Sequence, residues 1–501
     1  MPGDRGTHDI SPGGTAIDTL PAALTRREFT GRLVATLAVL ASGCATISPS
    51  EERKLGAEAA EEVERTVGLI EDPKVVGYVR QVAGRLAQVA KRTDVAWRFN
   101  VTDDVEANAF ALPGGYVYVT RGLLALCNSE DELAGVIGHE MAHVLERHAA
   151  RRAGAATPFA LLFGIPAGIL GAVSPALGGI VGGTGELASG MVLASYSRDQ
   201  ERDADQRGIA LAAGAGWDPA ALASFLHTLE REEALAGHDP NRPGFFATHP
   251  ATPERVGNVR KTARSQTRVT ATPIAGTRGT FLQKLEGLVV GDNPASGVFL
   301  GPLFVHPVFD VALEMPAKWK TINTAEAAGA VAPDGDAAVV LSLSDEGDDP
   351  VAAARSDGLS EAQLKQLQRV RVASLPAARL VADTRSGQRA VLTWIAHRQR
   401  VFRVTAVARV RDWGRYGATL EQAGGTFRPL RPADRERLAE SRLRIRPAGA
   451  GETVAEVLAR GGGTWNAAQM AVANGTTVDA KLHAGWPVKV PVSQRYDGSR
   501  G

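Results

Sequence analysis

Cysteine is almost missing from this chain: two residues, Cys44 and Cys127, among 501. If Cys44 is modified, as argued below, Cys127 has no partner and no disulfide staples the mature protein. Charge of one sign is missing too. The 56 basic and 55 acidic residues leave a formal net charge of +1, and aromatics are few, at 5%. Nothing there suggests a nucleic-acid partner or a polybasic membrane surface. No internal repeat is visible. A clean membrane span is lacking as well. Residues 159–181 carry no charge, but Pro166, Pro175 and the glycines at 164, 168, 171, 178 and 179 would break a single helix. A flexible apolar hairpin over a cleft is the expectation, with a true span as its rival.

What is present is chemistry on a helix. Gly138-His139-Glu140-Met141-Ala142-His143 sets two histidines four residues apart, hence one above the other on a helix face. Both imidazoles can reach one zinc ion, with Glu140 beside them to take a proton from water. Ser129 and Glu132 read as a capping box, and Leu133, Val136, Ile137, Val144 and Leu145 supply an apolar stripe. The plain reading is an exposed helix with two scattered histidines. Against it stands a second stretch, Ser197 to Asp205, whose Glu201 offers a third ligand. Asp205, one turn on, can hold the far nitrogen of a liganding histidine. Alone, that acidic face would be read as solvated surface. Together the two stretches favour a two-His, one-Glu zinc site.

The first 44 residues read as a targeting segment. Thr25-Arg26-Arg27-Glu28-Phe29 resembles a twin-arginine export signal, and a short apolar run, Leu33 to Ala41, follows. It ends in Leu40-Ala41-Ser42-Gly43-Cys44, which resembles a lipobox with Cys44 as the lipidated residue, although Ala41 stands where Leu is usual. An ordinary cleaved signal is the alternative.

Along the rest, residues 48–92 predict two helices, the second opening at Asp72-Pro73. Val95, Trp97, Phe99 and Val101 alternate as a strand, and Pro113-Gly114-Gly115 turns the chain between strand-like Asn108–Leu112 and Tyr116–Thr120. Cys127 is expected to be a small buried hydrophobe. His227 reads as a packed or surface histidine and His306 as structural. Thr267–Thr280 has linker composition. Residues 281–430 switch to strand-type alternation, with helices expected near Ser360–Val370 and Tyr416–Ala423 and a hairpin pairing 391–396 with 401–405. No metal cluster, nucleophile elbow or phosphate loop is found in that region.

Taken with Asn108-Ala109-Phe110-Ala111-Leu112-Pro113-Gly114-Gly115 upstream and Thr248-His249-Pro250 downstream, the two zinc motifs resemble those of the HtpX/CAAX-prenyl-protease family of gluzincin metallopeptidases. The soluble periplasmic BepA-like branch is the most similar. The resemblance implies an α+β protein: a mainly helical zincin-type domain with a small sheet over 48–266, holding one zinc per chain. It makes His139, His143 and Glu201 the ligands and Glu140 the catalytic base. His249 becomes a cleft residue that can fill the fourth position and keep the enzyme latent. Asn108, Ala109 and Phe110 become an edge strand gripping an extended substrate. An α+β accessory domain at 281–430 resembles one found in bacterial members. The tail, 443–492, resembles a degenerate LysM module, of the kind that binds peptidoglycan. The function implied is an exported endopeptidase, anchored by lipid to the outer membrane on its periplasmic side, that removes misfolded or misassembled envelope proteins. The rival is a cell-wall-binding or chaperone-like scaffold with little proteolysis.

Overall fold

A computed structural model of the chain describes residues 48–151, 196–236, 244–250, 253–383 and 387–498. Cys44, the export-like segment and the apolar stretch 159–181 lie outside the described residues.

The chain enters through α1 (Pro49–Thr66) and α2 (Pro73–Ala90). Asp72 starts α2 as its sequence implies: Oδ1 accepts from the amides of Lys74 and Val75, and Pro73 occupies a position that has no amide to lose. Val75, Val79, Val82 and Leu86 are fully packed along one side. A small sheet follows, ordered β1-β3-β2, from β1 (Arg98–Thr102), β2 (Ala109–Leu112) and β3 (Tyr116–Thr120). The β2–β3 turn uses Gly114 and Gly115 at φ of 82° and 103°, where a side chain would strain the backbone. Among the described residues β2 lies at the sheet's edge.

The short α3 (Arg121–Leu126) leads into α4 (Glu130–Leu145), which carries the paired histidines. Far from lying exposed, α4 is buried at nearly every position. Its cap is half of the expected box. Ser129 Oγ accepts from the Glu132 amide at 3.1 Å, but the Glu132 carboxylate turns to the amide of Asn128. Glu130 is a buried tie-point: it accepts from Tyr78 Oη, Trp217 Nε1 and the amides of Ile274 and Ala275. Those bonds pin the Thr267–Thr280 stretch along the core, as does the bond from Val269 N to Ala213 O. After α4 come α5 (His148–Arg151), α6 (Arg198–Gly214), α7 (Ala221–Ala236), α8 (Phe245–Thr248) and α9 (Pro253–Arg264). The next helix, α10 (Arg278–Leu285), buries Phe281, Leu282 and Leu285 in the core that α4 also fills, and β4 (Val289–Val290) follows it.

The following region is rich in sheet. One sheet runs β11-β12-β13-β14-β10-β9-β8, from β8 (Lys320–Asn323), β9 (Ala327–Val331), β10 (Ala337–Glu346), β11 (Gln368–Val372), β12 (Leu375–Asp383), β13 (Gln388–His397) and β14 (Arg400–Arg409). Alternation feeds two cores: Val391, Ile395 and Val404 face one side, Leu392, Trp394 and Val407 the other. The expected 391–396 with 401–405 hairpin is present in register. The helix expected over Ser360–Val370 is not. Only Glu361–Leu364 is helical, and Gln368–Val372 pairs with β12 instead. A smaller sheet is built from β5 (Val298–Leu300), β6 (Leu303–His306), β7 (Val311–Glu314) and β15 (Arg428–Pro429), in the order β15-β7-β6-β5.

The tail has the order strand, helix, helix, strand: β16 (Ala439–Pro447), α11 (Val454–Gly461), α12 (Ala467–Ala473) and β17 (Pro487–Arg495). Its two strands pair antiparallel, and β16 also pairs with β4. It is welded to the helical domain by a buried lysine. Lys489, with no exposure at all, donates through Nζ to Ala125 O at 2.7 Å and Cys127 O at 2.8 Å, at the turn before α4. Arg278 bridges the same junction, from Asn128 Oδ1 to Asn474 Oδ1.

Candidate metal centre

Two helices make the centre, and glycines let them meet. A Cβ on Gly208 of α6 would lie 2.6 Å from the His139 amide nitrogen, and one on Gly138 would lie 2.9 Å from Gly208 O. Only with both side chains missing can α6 approach α4 this closely. Ser197 caps α6 with Gln200 in a reciprocal box, which fixes where its first turn begins. Glu201 is in that first turn and Asp205 one turn later, both facing α4 and buried.

The sequence-predicted residues come together. His139 Nε2 and His143 Nε2 are 3.1 Å apart. Glu201 Oε1 stands 3.5 Å from His143 Nε2, and its Oε2 is 3.6 Å from His139 Nε2. His249, just after α8, joins them: its Nδ1 is 3.3 Å from His139 Nε2 and 3.0 Å from Glu201 Oε1. All four residues are buried and could hold a metal ion together. The donor set fits zinc. One donor atom from each of the four lies within 4.8 Å of the others, and three imidazoles and a carboxylate are the N/O donors zinc takes. Glu140, fully buried, has neither carboxylate oxygen in a hydrogen bond among the described residues. His249 Nε2 lies 3.5 Å from its Oε1.

Around this group sits a shell of partners. Asp205 Oδ1 is 2.9 Å from His139 Nδ1. Arg255 of α9 forks onto both Asp205 oxygens at 2.9 Å, reaches Glu201 Oε2 at 2.6 Å and donates to His249 O at 3.2 Å. Tyr196 stacks on His143, ring centres 3.7 Å apart, and His148 Nδ1 meets His143 Nδ1 at 2.9 Å. Sequence reasoning assigned no role to Arg255, Tyr196 or His148. His148 had a signal, a third histidine soon after the pair, but its spacing from His143 fits no helix face.

Burial and charge set the protonation tendencies. Burial pushes the Glu140 carboxyl up, against the pull of His249 and His139. Burial also raises the cost of ionising Glu201, yet His249, His143 and His139 together hold it well below the usual carboxylate range. Desolvation drives His143 well below the ordinary imidazole value.

The other expected residues lie outside this group. Ala109 and Phe110 open β2, and Asn108 directly precedes it. Their side chains are buried, Phe110 stacks on Tyr118 at 5.0 Å, and the Asn108 amide bonds Thr120 Oγ1. His227 is on α7 beside Glu230, away from the centre. His306 stacks on Phe309, and burial lowers its pKa to about 4. Cys127 is buried, and desolvation pushes its thiol up.

Comparison with known proteins bears on the same region. Residues 73–263 match Peptidase family M48. The "Beta-barrel assembly-enhancing protease" of Escherichia coli K12 is 30% identical over 227 residues, covering 44% of this chain and 46% of that protein. Its Yersinia pestis counterpart is 29% identical over 225 residues, 44% of this chain and 46% of that one. The "Mitochondrial metalloendopeptidase OMA1" of Schizosaccharomyces pombe is 33% identical over 182 residues, 36% of this chain and 51% of the relative. Each match therefore spans about half the relative's length. Over residues 73–263, the stretch that holds a buried His/Glu group fit for one metal ion, the chain is thus similar to Peptidase family M48.

Proposed function

We propose that this chain is an exported endopeptidase that cleaves misfolded or misassembled cell-envelope proteins, with His139, His143 and Glu201 as zinc ligands and Glu140 as catalytic base. The observation that carries the reading is the buried His139–His143–Glu201–His249 group with an unbonded Glu140 carboxylate beside it. Zinc held there would supply Lewis-acid chemistry, polarising the scissile carbonyl and acidifying water. Glu140 takes the proton of the attacking water and returns it to the leaving nitrogen. Asp205 holds His139 in one tautomer, and Arg255 balances the charge of Asp205 and Glu201.

His249 completes a set of four donors, whereas a hydrolytic zinc site keeps one position open. The resting enzyme is therefore latent, and substrate or a partner draws His249 away. The loop suits that role. Phe245 N is held by Ala107 O, the Phe245 ring stacks on His249 at 4.4 Å, and Arg255 grips His249 O. An extended substrate would add to β2 at Asn108–Phe110 by main-chain hydrogen bonds, a sequence-tolerant grip suited to unfolded chains.

The rest of the reading concerns address. Residues 1–44 would be the signal, with Cys44 lipid-modified and the protein on the periplasmic side of the outer membrane. The peptidase domain would be 48–266, the accessory domain 281–430 and a LysM-like module 443–492. The strand-helix-helix-strand order of the tail supports a LysM-like role on peptidoglycan. Mass spectrometry of the mature N-terminus tests lipidation: a chain starting anywhere but at a diacylglyceryl Cys44 would remove it. Cleavage of casein by purified protein tests the activity. It should be lost with a zinc chelator and restored by zinc, whereas a scaffold would bind casein and leave it intact.

A further inference from the structure

His148 is fully buried against the metal centre, yet neither the four donors nor Glu140 accounts for it. Its Nδ1 is 2.9 Å from His143 Nδ1, the two rings nearly edge to face at 69°. Residues five apart on a continuous helix point about 140° away from each other, so this contact cannot arise on α4 itself. The chain breaks the helix to make it. Arg147 adopts a left-handed φ of 54°, a conformation that non-glycine residues rarely take, and α5 restarts at His148. That bend is anchored from two sides. Arg147 Nε bonds Glu52 Oε2 at 2.7 Å, and Gln200 Nε2 donates to His148 O at 3.4 Å. Gln200 precedes Glu201, so the element bearing His148 is tied to the element bearing the carboxylate ligand.

We propose that His148 is a positioning residue for His143, fixing the tautomer and ring angle in which His143 Nε2 turns its lone pair toward the metal. The proposal rests on the reading of His143 as a zinc ligand. One of two facing ring nitrogens must carry the hydrogen and the other must not. A His143 that ligates through Nε2 is protonated on Nδ1, so it donates and His148 Nδ1 accepts. The two ligand histidines thus have unlike partners: His139 faces the Asp205 carboxylate, His143 the His148 imidazole. Tyr196, stacked on the His143 ring, limits its rotation from another side.

The test uses the full chain and three variants. In His148→Phe the acceptor is gone, in His148→Gln it is displaced, and in His148→Asn an amide oxygen stands close to the former Nδ1. Zinc affinity is read by competition with a chromophoric chelator, and the melting temperature of each metal-free protein is read alongside. Phe and Gln variants should bind zinc 10–100-fold more weakly, the range for loss of such partners. The Asn variant should stay within a few-fold of wild type, at similar metal-free melting temperatures. Wild-type affinity in a folded Phe or Gln variant would overturn the proposal. So would a folded Asn variant as weak as the others, which decides the matter even if the Phe variant does not fold. A wild-type chain that binds no zinc would instead sink the ligand assignment, and this inference with it.

Discussion

Lys489→Met asks whether the tail is a separable module or part of the peptidase's own frame. The substitution keeps the length of the side chain and removes its amine. Two hydrogen bonds disappear, to Ala125 O and Cys127 O, at a site sealed from water. Each buried acceptor deprived of its donor costs about 1–3 kcal/mol. Part of that is offset, because the variant no longer buries an amine. Desolvation already holds the Lys489 pKa well below its ordinary value, with Arg278 adding repulsion and Glu132 opposing. Glu132 also loses the nearby amine, although the amide of Asn128 still supports it and Arg278 remains close. The net expectation is a loss of roughly 2–4 kcal/mol, the range for breaking a buried polar contact on one side. Differential scanning calorimetry should show the helical domain melting several degrees lower, and together with the tail. A melting temperature at or above wild type, or a tail that melts alone, would refute the reasoning. Deleting residues 439–498 should be worse, since Leu443 and Ala473 sit in the same core as α4.

Three further outcomes follow from single contacts. Gly208→Ala should force α6 off α4, because its Cβ would meet the His139 backbone at 2.6–2.7 Å; zinc retention on dialysis should fall, with a stability loss of about 1–3 kcal/mol. Desolvation raises Asp104 to about 6, so the native state binds more protons than the unfolded one between about pH 4 and pH 6, and stability drops as pH rises through that window. Asp104→Asn keeps the acceptor for the Glu106 amide and should add about 1–2 kcal/mol of stability at pH 8, after allowance for partial exposure, read as a higher melting temperature there but not at pH 4. His249→Ala should raise basal cleavage of an unfolded substrate if the histidine is a latch; slower turnover would make it a stabiliser of the tetrahedral intermediate instead.

The centre was legible wherever its residues lie on one helix. His139, His143 and Glu140 follow from the helical period, and Asp205 follows from Glu201 by one turn. Their joining depended on two glycines, Gly138 and Gly208, which carry no chemistry and give no local signal. His148 escaped because its contact needs a left-handed Arg147, and Arg255 because its partners Asp205, Glu201, His249 and His139 come from distant segments. The missed strand at Gln368–Val372 has a similar cause. It joins β12 through Ala373 and Ser374, both at positive φ, a tight turn lacking the Asn-Gly or Asp-Gly that marks such hairpins. Lys489 gives no local sign of its burial. Between Val488 and Val490 a lysine reads as the solvent side of a strand, but here both faces are covered.

The most direct measurement is metal content and peptide cleavage on one preparation each of wild type, Glu140→Gln and Glu201→Ala. Glu140 is read as a base and Glu201 as a ligand. The Gln variant should therefore hold one zinc per chain and cleave nothing, while the Ala variant should lose the metal and the activity together. A Glu140→Gln protein that cleaves at the wild-type rate, or a Glu201→Ala protein that keeps its zinc, would contradict the account.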